Sequence, residues 1–171
     1  FEKASDLNEP SSQFSLGLLY FYGTGVTQNY PKAREYFEKA AKEKDGGSYL
    51  YLGIIYENGF GLPKDFWRAK YNYDKAIEFG RVDAYCNLGV LFYNGNNTEG
   101  RNFIKAKEYF ELAAKQQNPE GLLKLGLLYY EGEGVEKDYS KAKEYFELSA
   151  KLENSFALIR LGLIYLLGKG I

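Results

Sequence analysis

One five-residue pattern returns five times along the 171 residues, and this periodicity constrains the fold more than any other feature. Leu16-Gly17-Leu18-Leu19-Tyr20 comes back as Leu52-Gly53-Ile54-Ile55-Tyr56, Leu88-Gly89-Val90-Leu91-Phe92, Leu125-Gly126-Leu127-Leu128-Tyr129 and Leu161-Gly162-Leu163-Ile164-Tyr165. The anchor glycines stand 36, 36, 37 and 36 residues apart. A second block follows each of the first four anchors, for example Lys32-Ala33-Arg34-Glu35-Tyr36-Phe37 and Lys141-Ala142-Lys143-Glu144-Tyr145-Phe146. A repeat of this length marks an array of small supersecondary units, none of which buries its apolar face alone.

Each unit reads as two helices. In the first, Ser48, Leu52 and Tyr56, or Ala157, Leu161 and Tyr165, recur in steps of four on one helical face. The second opens after a cap candidate, Asn29, Asp65, Asn102 or Asp138, whose side-chain oxygen can accept from a first-turn N–H. Pro31 is tolerated because first-turn N–H groups have no helical acceptor. Tyr30, Ala33, Phe37 and Ala40 then form one apolar stripe, repeated by Phe66, Ala69, Tyr73 and Ala76 and by Tyr139, Ala142, Phe146 and Ser149. A Gly-x-Gly loop joins the helices at Gly23–Gly25, Gly59–Gly61, Gly132–Gly134 and Gly168–Gly170, and the aliphatic residue after it is expected to tuck back into the helix pair. The third unit departs from this, with Gly95-Asn96-Asn97-Thr98 and one extra residue before Ala106.

Length alone suggests one domain. The repeats divide it into the end of a preceding unit (1–8), repeat 1 (9–44), repeat 2 (45–80), repeat 3 (81–117), repeat 4 (118–153) and the first half of repeat 5 (154–171). The chain opens inside a second helix and stops inside a loop without polar capping elements, so the expectation is a segment of a longer array.

Composition excludes several functions. Lys+Arg 22 against Asp+Glu 23 leaves a formal net charge of -1, which argues against nucleic acid as a partner. With no His, the commonest general base and metal ligand is missing, so no Ser/His/Asp set exists and neither catalysis, metal nor cofactor is expected. The single cysteine, Cys86, excludes an internal disulfide and aligns with Phe14, Leu50, Leu123 and Ile159, which marks it as a small core residue. One thiol leans toward the cytosol, with a secretory compartment or the endoplasmic-reticulum lumen left open. No apolar run approaches the ~20 residues that span a bilayer, so this segment is not expected to insert.

Other signals have structural readings. The Gly-x-Gly loops follow a helix rather than a strand and are not phosphate loops. Glu131 and Glu133 are a solvated helix end and loop rather than an acid–base pair. Asn96-Asn97-Thr98 is a glycosylation sequon that matters only in a secretory compartment. Tyr20, Tyr56, Tyr129 and Tyr165 invite a base-stacking role, but their recurrence without a basic surround assigns them to the core.

The pattern resembles the Sel1-like repeat family, relatives of tetratricopeptide repeats. Ala84, Leu88, Gly89, Phe92 and Gly95 match the first half of its unit, and Lys105, Ala106, Tyr109, Phe110, Ala113 and Ala114 the second. The resemblance covers essentially the whole chain. It implies an all-α, right-handed superhelical solenoid of antiparallel helix pairs, with the first helix of each unit on the inner curve. It further implies a scaffold or adaptor that binds a protein or peptide in the concave groove. Some bacterial relatives are described as binding β-lactam or peptidoglycan-like ligands, so a small-molecule or cell-wall-fragment binder is the alternative, and a structural spacer the third.

Partner choice is expected where the repeats disagree. Positions two before and five after each anchor glycine lie within about 20° of each other around the helix. They select Ser15 and Tyr22, Tyr51 and Asn58, Asn87 and Asn94, Lys124 and Glu131, and Arg160 as the candidate partner-binding strip. Neighbouring helical positions are uniformly aliphatic or small, whereas these change character between units. Tyr, Arg and Asn there offer contact area and hydrogen bonds at modest entropic cost. The alternative is a solvated face free to vary.

Overall fold

The structure, a computed structural model, describes residues 9–95 and 100–169. The Asn96-Asn97-Thr98 sequon, the opening Phe1–Ala4 register and the closing Gly170-Ile171 pair lie outside the described residues. The described residues hold nine helices and no strand: α1 (Pro10–Tyr22), α2 (Tyr30–Lys42), α3 (Gly46–Asn58), α4 (Phe66–Glu78), α5 (Ala84–Asn94), α6 (Phe103–Lys115), α7 (Pro119–Glu131), α8 (Tyr139–Lys151) and α9 (Ser155–Leu166). Although the length suggested one domain, the chain divides into two compact units, Phe1–Ala84 and Tyr85–Ile171. Helices of a repeat array pack on their neighbours in chain order, so no single centre gathers them all.

Local chemistry sets the helix boundaries. The four expected caps each accept from the backbone N–H three residues on: Asn29 from Lys32, Asp65 from Arg68, Asn102 from Lys105 and Asp138 from Lys141, all at 2.9 Å. The first helices carry caps too, with Asp45 accepting from Ser48 at 2.6 Å and Asn118 from Gly121 at 2.8 Å. At the far end of α7, Gly132 turns left-handed at φ 77° and its N–H closes onto the Leu128 carbonyl at 2.8 Å, which a side chain there would oppose. The longer third loop is pinned as the others are. Asn102 N–H reaches the Phe92 carbonyl at 2.8 Å, matching Asn29 to Tyr20 and Asp138 to Tyr129.

The apolar stripes form the core as the spacing predicts. Ala33, Phe37 and Ala40 of α2, Ala69, Tyr73 and Ala76 of α4, and Ala142, Phe146 and Ser149 of α8 are fully buried. Each buried ring contributes roughly 1.5–3 kcal/mol of burial, offset by chain ordering. Ser149 is tolerated where other repeats carry alanine because its hydroxyl donates to the Pro119 carbonyl at 2.7 Å. Cys86 is buried as expected.

The anchor glycine exists to admit a ring. A Cβ on Gly17, Gly53, Gly89 or Gly126 would fall well inside 3.0 Å of Phe37, Tyr73, Phe110 or Phe146, respectively. Around Gly162 nothing lies within 4 Å of that position among the described residues. In repeats 1, 3 and 4 the block that follows the anchor also sandwiches the anchor aromatic, while repeat 2 has Asn72 in place of the stacking ring. Tyr20 stacks on Tyr36 (5.6 Å, 6°), Phe92 on Tyr109 (5.5 Å, 8°) and Tyr129 on Tyr145 (5.7 Å, 14°). Lys32, Arg68, Lys105 and Lys141 lie over Tyr20, Tyr56, Phe92 and Tyr129 at 5.0–5.4 Å, each cation–π contact contributing about 0.5–1 kcal/mol at such sites. Tyr165 departs from its core assignment. It is 51% exposed, with Lys143 over its ring, because no helix following α9 packs on it among the described residues.

Phe60, Glu133 and Lys169, the residues after the first glycine of their loops, staple their repeats to the one before, whereas Thr24 at the same place is exposed. In unit Phe1–Ala84, Phe60 stacks on Tyr30 (4.6 Å, 10°) and meets Phe21 edge-on, while Leu62 tucks against the same core, as expected of the aliphatic position. In unit Tyr85–Ile171 the same contact is polar, the Tyr93 hydroxyl donating to the Glu133 carboxylate at 2.6 Å. Lys169 instead sits over the Tyr130 and Tyr139 rings at 5.0 and 4.7 Å. The Glu133 carboxylate, together with burial, pushes Tyr93 up to about 12. A tyrosine whose proton is held more tightly in the fold than in the unfolded chain stabilises fully below the ordinary phenol value near 10. That stabilisation is lost as pH rises from there through about 12. Glu133→Gln is therefore expected to lower the Tyr93 ionisation toward the ordinary value and to shrink the stability lost over that alkaline window. Tyrosinate absorbance and melting followed against pH check both.

Candidate binding strip on the first helices

In unit Phe1–Ala84 the strip residues lie on α1 and α3. The Tyr22 and Tyr51 hydroxyls, on adjacent first helices, form a hydrogen bond of 2.9 Å. The two residues are not equally free. Tyr51 is half-buried on a bed of Phe14 (5.9 Å), Phe21 (5.2 Å) and Phe37 (5.1 Å), whereas Tyr22 is 59% exposed. Burial, reinforced by the Tyr22 hydroxyl, pushes Tyr51 up to about 12, so Tyr51 keeps its proton across the physiological range. Ser15 and Asn58 are exposed and turn back on their own helices, Ser15 Oγ donating to Ser11 O (2.8 Å) and Asn58 Nδ2 to Ile54 O (2.9 Å).

Sequence reasoning missed Arg81, which enters from the turn after α4. Its guanidinium grips Asp83 through Nε (3.1 Å) and Nη2 (2.7 Å), leaving Nη1 directed across α3, where a Cβ on Gly47 would stand 3.2 Å from it. Gly47 lies one helical turn before Tyr51, and the position six before the anchor glycine, which joins the same helical face, carries Ser11, Asp83, Glu120 and Phe156 in the other repeats. A glycine in an otherwise side-chain-bearing strip was the signal that another residue occupies that space. The Arg81 charge acts on Tyr51 against that of Asp83, and Asp45 lies within electrostatic reach of Arg81.

In unit Tyr85–Ile171, Asn94 and Glu131 are exposed, and Asn87, Lys124 and Arg160 are half-buried. Lys124 Nζ pairs with Glu120 one turn earlier at 3.2 Å, a solvent-facing ion pair of little energetic consequence. Asn154, the α9 cap, contacts the other Glu120 oxygen at 3.5 Å. Among the nine strip residues, Tyr22 and Tyr51 are the pair that bond directly to one another among the described residues. Among the described residues no group of three or more His, Cys, Asp or Glu is placed to hold a metal ion, and no helix is long and apolar enough to cross a membrane.

Tandem helix hairpins, four of them closed by a glycine–aromatic contact at Gly17, Gly53, Gly89 and Gly126, define an α-helical repeat protein of the tetratricopeptide-like kind. The chain belongs to the Sel1 repeat family, whose model matches residues 10–45, 47–78, 82–118, 119–154 and 155–171. It is similar in structure to a Sel1 repeat protein from Oxalobacter formigenes (TM-score 0.83, 32% identity, 96% of this chain and 66% of that one). It is likewise similar to c5321, a protective antigen of uropathogenic Escherichia coli with the SLR fold (TM-score 0.83, 32% identity, 99% of this chain and 36% of that one). In sequence, 44 residues are 50% identical to HRD3B of Arabidopsis thaliana, an ERAD-associated E3 ubiquitin-protein ligase component. That stretch is 26% of this chain and 7% of the relative. A stretch of 37 residues is 49% identical to HcpC of Helicobacter pylori, named as a proposed beta-lactamase, over 22% of this chain and 13% of that protein. The chain thus spans only a small part of the curated relatives it matches. Sel1 repeats generally mediate protein–protein interaction.

Proposed function

We propose that this chain is a protein-binding module, a scaffold or adaptor rather than an enzyme, that engages a peptide or protein segment along the strip on its first helices. The Tyr22–Tyr51 pair carries this reading. Two aromatic hydroxyls are held in place by a rigid aromatic bed yet open to solvent at Tyr22, which lowers the ordering cost of binding. Asn58, Asn94, Lys124, Glu131 and Arg160 extend the polar strip on their own helices and give each unit its own preference. HRD3B, as a ligase component, works inside an assembly, which fits the same role. The absence of histidine and of any acid–base constellation in the strip supports binding over catalysis.

Peptides selected from a displayed random library against the whole chain test this. Tyr22→Ala and the charge reversals Lys124→Glu and Arg160→Glu are expected to weaken the selected peptides by about tenfold or more, with melting unchanged, since these side chains are exposed or half-buried. Substitution of the exposed Glu38 on α2 is expected to have no effect. Peptides that bind the strip variants and the parent equally would overturn the assignment.

A further inference from the structure

In unit Phe1–Ala84 the strip contains more than two tyrosines. Arg81 Nη1 lies over Gly47, one helical turn before Tyr51 and within electrostatic reach of it, Tyr51 bonds the Tyr22 hydroxyl, and Asp83 holds the other side of the guanidinium. Arg81 Nη1 makes no hydrogen bond among the described residues, so its two N–H groups face the strip as donors. A hydroxyl pair sharing one hydrogen bond keeps one further proton to donate and lone pairs to accept. The Asp83 carboxylate is engaged by Arg81 along one edge and retains acceptor capacity.

The charges decide between ligands. The guanidinium is already paired with Asp83 and lies within electrostatic reach of Asp45, so an incoming anion finds no uncompensated positive charge and an incoming cation has to share Asp83 with Arg81. A neutral amide meets neither obstacle. Its carbonyl can accept from Arg81 Nη1 or a tyrosine hydroxyl, and its N–H can donate to Asp83 or to a phenolic oxygen. Gly47 provides the clearance: any side chain there would displace the guanidinium and press on the Phe14 ring, 3.1 Å from that Cβ position.

We infer that Arg81, Asp83, Tyr51 and Tyr22 form an amide clamp that takes a neutral carboxamide of the bound peptide, an Asn or Gln side chain or a backbone peptide group. This rests on the reading of the strip as a peptide-binding surface and names what its α1–α3 end recognises. The clamp is selective for hydrogen-bonding capacity rather than charge, so its binding is insensitive to salt, unlike recognition of a charged ligand.

The test uses the whole chain in amide-resolved NMR titrations with three capped pentapeptides, Ac-Ser-Ala-Gln-Ala-Ser-NH2 and its Glu and Lys counterparts at the central position. A fourth peptide with central Ala separates side-chain from backbone recognition. The Gln peptide is expected to shift the Gly47 amide and the Arg81 Nε–H, to bind more tightly than the Glu and Lys peptides, and to bind equally at low and high salt. Arg81→Ala is expected to weaken it about tenfold or more, and Tyr51→Phe, which keeps the ring and its packing, several-fold. If the Ala peptide binds as the Gln peptide does, with the same loss in Arg81→Ala, the amide taken is a backbone one. Tighter binding of the Glu or Lys peptide, or an affinity within twofold of the parent in Arg81→Ala of unchanged melting, overturns the clamp. Shifts confined to the strip residues around Lys124 and Arg160 overturn it too, while leaving the wider strip reading in place. Absence of shifts at any strip residue with all four peptides removes both.

Discussion

Gly126→Ala is expected to destabilise the protein by about 1–3 kcal/mol, whereas Gly162→Ala, the same substitution at the same repeat position, is expected to stabilise it by about 0.5–1 kcal/mol. These glycines have nearly the same neighbours in sequence, Leu-Gly-Leu-Leu-Tyr and Leu-Gly-Leu-Ile-Tyr. They differ in what approaches. The fully buried Phe146 ring occupies the space that a Cβ on Gly126 needs, and nothing among the described residues occupies it at Gly162. With the notch empty, only the intrinsic preference of helix for alanine remains. Chemical denaturation of the two single variants measures the contrast. Adding Phe146→Leu to Gly126→Ala is expected to recover part of the loss, because the smaller side chain vacates the contested volume. A double variant that is merely the sum of its singles, or two glycine variants that behave alike, would show that the ring contact does not fix the residue.

The second large effect is expected at a pair private to repeat 2. Where the other described repeats bury Phe37, Phe110 and Phe146, this one buries Tyr73, whose hydroxyl donates to Glu57 at 2.5 Å. Glu57 in turn replaces the aromatic found at Phe21, Tyr93 and Tyr130. Burial raises the Glu57 carboxyl above its ordinary value, against the opposing effects of the Tyr73 hydroxyl and Lys64. A carboxyl that folding makes harder to ionise favours the fold most at pH below the unfolded carboxylate range. That advantage is lost as pH rises through the raised value. Tyr73→Phe is therefore expected to cost about 1–3 kcal/mol at neutral pH, where it strands a charged acceptor, and less in acid. Glu57→Gln keeps an acceptor and removes the charge, so it is expected to raise stability at neutral pH, with the gain vanishing as pH falls. The double change Tyr73→Phe with Glu57→Tyr restores the combination found in repeats 3 and 4 and is expected to recover most of the loss. Denaturation midpoints of the parent and these variants at acid and neutral pH decide it; a neutral-pH loss in Glu57→Gln equal to that of Tyr73→Phe would refute the charge argument.

Much of the fold was legible because the same local solution is written several times. Asn29, Asp65, Asn102 and Asp138 cap their helices as read, since capping involves groups only three residues apart. The Ala–Phe stripes fall into the core because a 3.6-residue period puts them on one face whatever lies opposite. The candidate strip was legible as variation against that background. Tyr165 was not, because its burial depends on a neighbouring helix rather than on its own pentapeptide.

The amino-acid order by itself determined helix pairing, caps, loops and family, each of which follows from short-range periodicity repeated along the chain. Only the tertiary structure decided which aperiodic residues meet: Tyr22 with Tyr51, Tyr93 with Glu133, Lys169 with Tyr130, and Arg81 over Gly47. The physical reason is that such pairs lie about one repeat apart, or arrive from a turn, and their chemistry changes from repeat to repeat. The period marks the positions but not the partners, and stacking one hairpin on the next sets the distance and rotamer that bring them together.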